Sequence, residues 1–436
     1  MIIKKGTKLW KEAKRVIPGG TQLLSKRSEQ FLPDQWPSYY RKAKGVEIWG
    51  LDGNKYIDMS LMGVGSCILG YADNDVNRAV KKVIDSGSMT TLNSPEEVEL
   101  TRLLLSLHPW ADMVRLARTG GEAMAVAVRI ARAYTGRDKI AFCGYHGWHD
   151  WYLSANLADS KNLDGQLLPG LEPLGVPRCL KGTALPFNFN KIDELKDIVS
   201  KNEIGVIVME PIRHYEPIDN FLGKVREIAD KIKAVLIFDE ITSGWRMNVG
   251  GVHKLYNIQP DIAVYAKAIS NGFPMAAIVG KGKIMDMAQH SFISSTYWTE
   301  RTGPAAAIAT IKKLQEKNVP SHLCKMGNLI KKGWQEIAKS YDLKINIMGI
   351  PPLATFVFDY RQKEVLHTLF TQEMLKRGFL ASKAVYVSYS HKEKHIKEYL
   401  KNVDEVFKII KKAMRNRSVR GLLKGPVAHT GFKRLT

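Results

Sequence analysis

The spacing of apolar residues changes twice along the chain. An amphipathic start, "MIIKKGTKLWKEAKRVIPGG", passes into a loop-rich span with "FLPDQWPSYY". "GVEIWGLDGNKYID" then reads as a hairpin of two short strands joined through Asp52-Gly53, a hairpin-turn dipeptide. From about residue 73 helix and strand periods alternate. "DNDVNRAVKKVIDSG", "PEEVELTRLLLSLHPW" and "GGEAMAVAVRIARAYTG" have helical spacing, whereas "KIAFC", "IGVIVMEP", "AVLIFDE", "DIAVYAK" and "MAAIVGK" are short apolar runs without alternation. Strands apolar on both faces and bounded by helices predict a parallel sheet covered on each side. After "TGPAAAIATIKKLQEKN" the pattern shifts again, and "ATFVFDY", "VYVSYS" and amphipathic helices describe a smaller α+β lobe. The expectation is an α/β protein with a large central domain over 61–310. Residues 1–60 and 311–436 are expected to supply a small α+β domain from both chain ends.

Composition narrows the class. The 436 residues are 45% hydrophobic, ordinary for a globular chain, and no apolar run is long enough to cross a bilayer. The start lacks the apolar core of a secretory signal, so a cytoplasmic protein is expected. Cys67, Cys143, Cys179 and Cys324 form no CxxC pair, which suits reduced thiols. The formal charge of +22 admits a nucleic-acid binder, but the lysines are interspersed with acids on amphipathic faces such as "KEKHIKEYLKNVDEVFKIIKKAMRN". The surplus is read as solvated surface with anionic substrates as partners, and neither nucleic acid nor membrane is expected.

Chemistry enters with "VLIFDEITSG". A nucleotide hydrolase would pair this strand with a GxxxxGK[ST] loop, and none exists; "VGKGK" puts Gly282 where the hydroxyl residue belongs. "GVGSCILG" fails as a dinucleotide fingerprint because Ile68 replaces the third glycine. Asp239 has a better partner in "VYAKAISNGFP", where Lys267 follows an apolar strand. A lysine there is costly unless paired, deprotonated or modified, and side chains at the carboxyl ends of parallel strands converge on one crevice. From these two residues alone, an ion pair at the sheet rim and a ligand site weigh equally. Thr119-Gly120-Gly121-Glu122 at the mouth of a long helix favours the ligand, because a helix start with free N–H groups suits a phosphate, although Thr119 and Glu122 also fit a self-sufficient capping box. A lysine for an imine, a carboxylate for a ring nitrogen and a helix mouth for a phosphate describe pyridoxal 5′-phosphate. In "FCGYHGWHDWY", Tyr145 is placed to stack on the ring, with Ile241 against the opposite face. His146, His149 and Asp150 have weak metal spacing and are assigned a structural or cofactor-packing role, with no metal expected.

These residues resemble a known family. "AKRVIPGG", "GVEIWGLDGNKYIDM", "CILGYADNDV", "TGGEA", "GYHG", "FDEITSGWR" and "AKAISNGFP" are similar, almost end to end, to class III aminotransferases of fold type I, nearest the glutamate-1-semialdehyde aminomutase branch. The resemblance implies Lys267 as the Schiff-base lysine and Asp239 as the pyridinium partner. Tyr145 would stack on the ring, Gly120 and Gly121 would belong to the phosphate loop, and Glu210 would lie near the cofactor. It also implies a homodimer with shared sites, in which Thr299 or Thr296 reaches the partner's phosphate. Departures fall at substrate positions: Leu23 replaces a serine, Lys26 or Arg27 stands in for an arginine, Val64 replaces a tryptophan, and Lys383 lies near a lost glutamate. Such a rim should prefer an anionic substrate. The function expected is a ping-pong aminotransferase acting on an amino-acid donor and a carbonyl acceptor. The rivals are an intramolecular aminomutase and a non-catalytic basic binding protein, the latter drawing on "RNRSVRGLLKGPVAHTGFKRLT".

Overall fold

The computed structural model describes residues 5–166 and 169–431; positions 1–4 and 432–436, at the tips of the two terminal stretches quoted above, lie outside it. Two compact units emerge, Asn74–Pro320 and the combination of Met1–Asp73 with Ser321–Thr436. The divisions therefore fall after residues 73 and 320, where the sequence placed them after 60 and 310. Among the described residues no helix is long and apolar enough to cross a membrane.

In the unit built from both ends, the helix Lys5–Val16 precedes three antiparallel strands, β1 (Tyr40–Lys44), β2 (Glu47–Gly50) and β3 (Lys55–Met59). The expected hairpin is β2–β3, with Ile48 opposite Tyr56. Its loop is wider than a dipeptide: Gly50 N–H donates to the Asn54 carbonyl at 3.0 Å, and Gly53 turns the chain at φ +83°.

The other unit holds a seven-stranded sheet. Its strands are β4 (Met113–Ala117), β5 (Lys139–Cys143), β6 (Ala184–Pro186), β7 (Ile204–Met209), β8 (Val235–Asp239), β9 (Ile262–Tyr265) and β10 (Ala276–Gly280), in the order β4-β10-β9-β8-β7-β5-β6. The run from β9 to β6 is parallel, while β10 is antiparallel to both β9 and β4. Period-two alternation sends neighbouring residues to opposite faces. Phe142, Val208 and Ile237 pack with Ala127 and Ile130 of the helix Gly120–Thr135. Cys143, Ile207 and Phe238 pack with Leu222 and Val225 of the helix Phe221–Ile232. Both faces are covered, which is why these strands lack polar alternation.

The first unit then resumes with β11 (Ile345–Met348), β12 (Leu353–Phe358), β13 (Phe379–Ala381) and β14 (Ala384–Tyr386). β13 adds parallel to β3, and β11-β12-β14 form an antiparallel sheet.

Ile237 is wholly buried at the centre of the seven-stranded sheet. Ile237→Ala is expected to cost about 2–5 kcal/mol, read as a lowered denaturant midpoint.

Candidate active site

β7, β8 and β9 are adjacent and parallel, so their carboxyl ends bring Glu210, Asp239 and Lys267 to one edge. Lys267 follows β9 with a left-handed backbone, φ +50°, which costs a β-carbon-bearing residue on the order of 1 kcal/mol. Its Nζ donates to Thr242 Oγ1 at 2.9 Å. Burial, aided by the charges of Arg213 and Arg246, lowers its proton affinity to a pKa of about 8 against the pull of Glu210 and Asp239.

Asp239 is 2% exposed. Its Oδ2 meets His146 Nδ1 at 2.8 Å, and its Oδ1 accepts the Ile241 N–H at 3.0 Å. His146 Nε2 donates to the Cys143 carbonyl at 3.1 Å, so the ring is clamped between an acceptor and the acid. Burial pushes Asp239 above the usual carboxylate range, and His146 opposes it. Among the described residues no direct ion pair joins Asp239 to Lys267, which removes the rim salt bridge as an explanation of the two residues. Each is held by other groups while sensing the other's charge.

Glu210 accepts Tyr145 N–H at 3.1 Å and Arg213 Nη1 at 3.1 Å through both oxygens. Gly144, at φ +110°, permits this, since a β-carbon there would lie 2.7 Å from Glu210 Oε2. Burial pushes Glu210 up, but Arg213, His146, the Tyr145 amide and Lys267 together hold it below the ordinary range. Behind this layer Glu240 points to a separate histidine: His253 Nδ1 lies 2.9 Å from its Oε1, and Ser243 Oγ donates to its Oε2 at 2.7 Å.

The helix Gly120–Thr135 starts with the capping box that its sequence allows. Thr119 Oγ1 accepts from Glu122 N at 3.4 Å, and Glu122 Oε2 accepts from Thr119 N at 3.0 Å. The box satisfies Thr119 and Glu122 and leaves the amides of Gly120 and Gly121 without an acceptor among the described residues. The glycines answer to packing as well. A β-carbon on Gly120 would lie 2.9 Å from Ile241 Cδ1, and one on Gly121 would lie 3.3 Å from His149 Cδ2 and 3.5 Å from His149 Nε2. That nitrogen is buried and has no hydrogen-bond partner among the described residues. Capping therefore leaves two amides at this helix start able to meet an anion.

The sequence candidates thus fall into one unit: Lys267, Asp239, Ile241, Glu210, Tyr145, Gly120 and Gly121 all lie in Asn74–Pro320. Thr296 and Thr299 belong to it too, in an exposed turn where Thr299 Oγ1 donates to the Thr296 carbonyl at 2.9 Å. Lys26, Arg27 and Lys383 belong to the other unit. Two contributors go unassigned in the sequence reading, and two more carry only part of their role. Thr242 and Arg213 have no role there, whereas His146 and His149 have a structural or cofactor-packing role without a named partner. Arg213 had a local signal, since it follows the strand-end Glu210 by three residues.

Comparison with known proteins bears on the whole chain. Residues 32–407 match the family model for class-III aminotransferases. The 3-aminobutyryl-CoA aminotransferase of Cloacimonas acidaminovorans is 31% identical over 421 residues, covering 93% of this chain and 97% of that protein. The glutamate-1-semialdehyde 2,1-aminomutase of Methanothrix thermoacetophila is 30% identical, covering 94% and 97%. In fold, the FumI protein of Sphingopyxis sp. MTA144, solved in its PLP internal aldimine form, superposes with a TM-score of 0.85 at 23% identity, covering 94% and 97%.

The residues present fit the pyridoxal phosphate that the FumI structure carries. A phosphate suits two unpartnered amides and an unpartnered imidazole nitrogen, and a pyridine nitrogen suits a buried, histidine-clamped carboxylate. Gly121→Ala crowds His149, and His149→Phe removes its nitrogen. Each is expected to raise the Kd for pyridoxal phosphate by about tenfold. The Kd for pyridoxal, which lacks the phosphate, should be unchanged, with equilibrium dialysis as the measurement.

Proposed function

We propose that this chain, which belongs to the class-III aminotransferase family and is a pyridoxal-phosphate-dependent enzyme, moves an amino group between an amino-acid donor and an anionic carbonyl acceptor in two half-reactions. The observation that carries the assignment of roles is the disposition of Lys267 and Asp239. They sit at neighbouring strand ends, Asp239 buried and Lys267 half-buried, electrostatically aware of each other and not bonded together.

Bound pyridoxal phosphate supplies an aldehyde that exchanges amines and a ring that withdraws electrons from the substrate's α-carbon. Asp239 holds a proton at the ring nitrogen, and His146 keeps the acid oriented and ionised. Lys267 Nζ would hold the aldehyde carbon until the donor's amine displaces it, and would then take the proton from the substrate's α-carbon as a base and return it to the cofactor's aldehyde-derived carbon as an acid. A pKa near 8 suits that double duty better than the ordinary lysine value. Tyr145 and Ile241 line the two ring faces. The amides of Gly120 and Gly121, with His149 Nε2, receive the phosphate. Glu210 orders Tyr145 and Arg213 beside the ring.

The anionic acceptor is supported by the +22 formal charge. The 31% identical relative also bears the name of an amine-bearing coenzyme A thioester, whose carbonyl counterpart would be an anionic acceptor. A homodimer is supported by the exposed turn Thr296–Thr299 with Phe292 and Tyr297, 90% and 71% exposed, beside it. In that arrangement Thr299 or Thr296 would serve the partner's phosphate. The name of the 30% identical aminomutase favours a second reading, an amine shift within one molecule.

A panel of amino acids that bleach the visible absorbance of the holoenzyme, followed by carbonyl compounds that restore it, tests the assignment. A transaminase requires both substrates, whereas a mutase turns over with one. Lys267→Ala is expected to lower turnover by about a thousandfold or more. In the cofactor-free chain, reductive methylation of Lys267 followed by mass spectrometry should become half-maximal near pH 8 and rise above it, because only the deprotonated amine reacts.

A further inference from the structure

We infer that Arg213 recognises the carboxylate of the amino-acid donor and so sets the donor's amine against Lys267; this rests on the transamination reading above. Arg213 lies on the connection after β7. Its Nη1 stands 3.1 Å from each oxygen of Glu210, and Glu210 in turn accepts the Tyr145 N–H at 3.1 Å. The guanidinium is therefore tied to the segment that carries the ring-facing tyrosine. Its charge acts on Lys267 and on Tyr145 alike, lowering the proton affinity of each, which places it within electrostatic reach of both.

An α-amino acid carries its carboxylate two bonds from its amine. The cation that holds the carboxylate must then stand close to the lysine with which the amine trades places. Two guanidinium groups act on Lys267, namely Arg213 and Arg246. Arg246 is 1% exposed and donates Nε–H to the Thr242 carbonyl at 2.6 Å, so it lies on the inner side of the site. Arg213 borders solvent: its side chain is 15% exposed, and the next residues, His214 and Tyr215, are exposed. A planar guanidinium fork matches two carboxylate oxygens, and Glu210 fixes its orientation before a donor arrives. Prior orientation reduces the ordering cost of capture.

Three probes separate the parts of the donor. Alanine has both amine and carboxylate, ethylamine lacks the carboxylate, and propionate lacks the amine. They are applied to the wild-type holoenzyme and to Arg213→Met and Arg213→Lys, with the bound cofactor's visible absorbance as readout. Arg213→Met is expected to raise the half-saturating alanine concentration about 10- to 100-fold while changing that of ethylamine less than about threefold. Propionate should perturb the wild-type absorbance at concentrations that leave Arg213→Met unmoved. Arg213→Lys, which keeps the charge but loses the fork, should retain part of the alanine response and all of the ethylamine response. If Arg213→Met fails to fold, Arg213→Lys decides on the same alanine-to-ethylamine contrast. Equal losses for alanine and ethylamine, or an unchanged alanine response, overturn the assignment. A wild type that no amino acid bleaches defeats the transamination reading instead. Propionate then still decides on Arg213, because an equal response in wild type and variants removes it as the carboxylate anchor.

Discussion

An acid almost stripped of water governs this site. Removing a carboxylate from solvent costs several kcal/mol unless other groups compensate, and Asp239 has two: the His146 imidazole and the Ile241 amide. The clamp is long in structural terms. His146 follows β5 and Asp239 ends β8, with β7 between them in the sheet, so the contact ties three strand ends together. The Cys143 carbonyl fixes the far side of the ring, and the orientation of the acid is thereby set by backbone on both flanks.

Around that clamp, charges of both signs are interleaved. Glu210 answers to Arg213, Asp239 to His146 and Glu240 to His253, while Lys267 bonds to a neutral hydroxyl on Thr242. A lysine without a carboxylate of its own, partly buried beside two guanidinium groups, gives up its proton more readily than its exposed counterparts. The left-handed backbone at Lys267 belongs to the same arrangement, because the sharp departure from β9 is made at the residue proposed to carry the imine.

Much of this could be read in the sequence, for identifiable reasons. β5, β7, β8 and β9 announce themselves as apolar runs because both of their faces are covered, and the two ends of β8 and β9 carry the residues that matter. β4 hides, because "MVRLA" is partly polar and its burial is mostly intermediate. The reversed direction of β10 leaves no trace in a five-residue apolar stretch, since strand sense depends on the connection and not on the pattern. Within the site, Lys267, Asp239 and the glycine pair stood out by residue type at strand and helix ends. Arg213 did not, and His146 showed a packing role without its partner, because what defines each is a contact: His146 meets an acid 93 positions away, and Arg213 matters through what Glu210 touches. His149 was legible as a packing residue only, as its distinguishing property is a nitrogen with nothing to bond among the described residues, which no one-dimensional pattern displays.

The neighbouring acids at the end of β8 expose how unforgiving that strand is. Asp239 and Glu240 are consecutive and of like charge, yet each has its own histidine, His146 for one and His253 for the other. A strand reads out its residues by parity, odd positions to one side and even positions to the other. Losing a single residue upstream in β8 would therefore swap the two acids, presenting the longer glutamate where the shorter aspartate now fits and inverting both cores at once. Composition, charge and motif would all survive such a deletion, whereas the site would not.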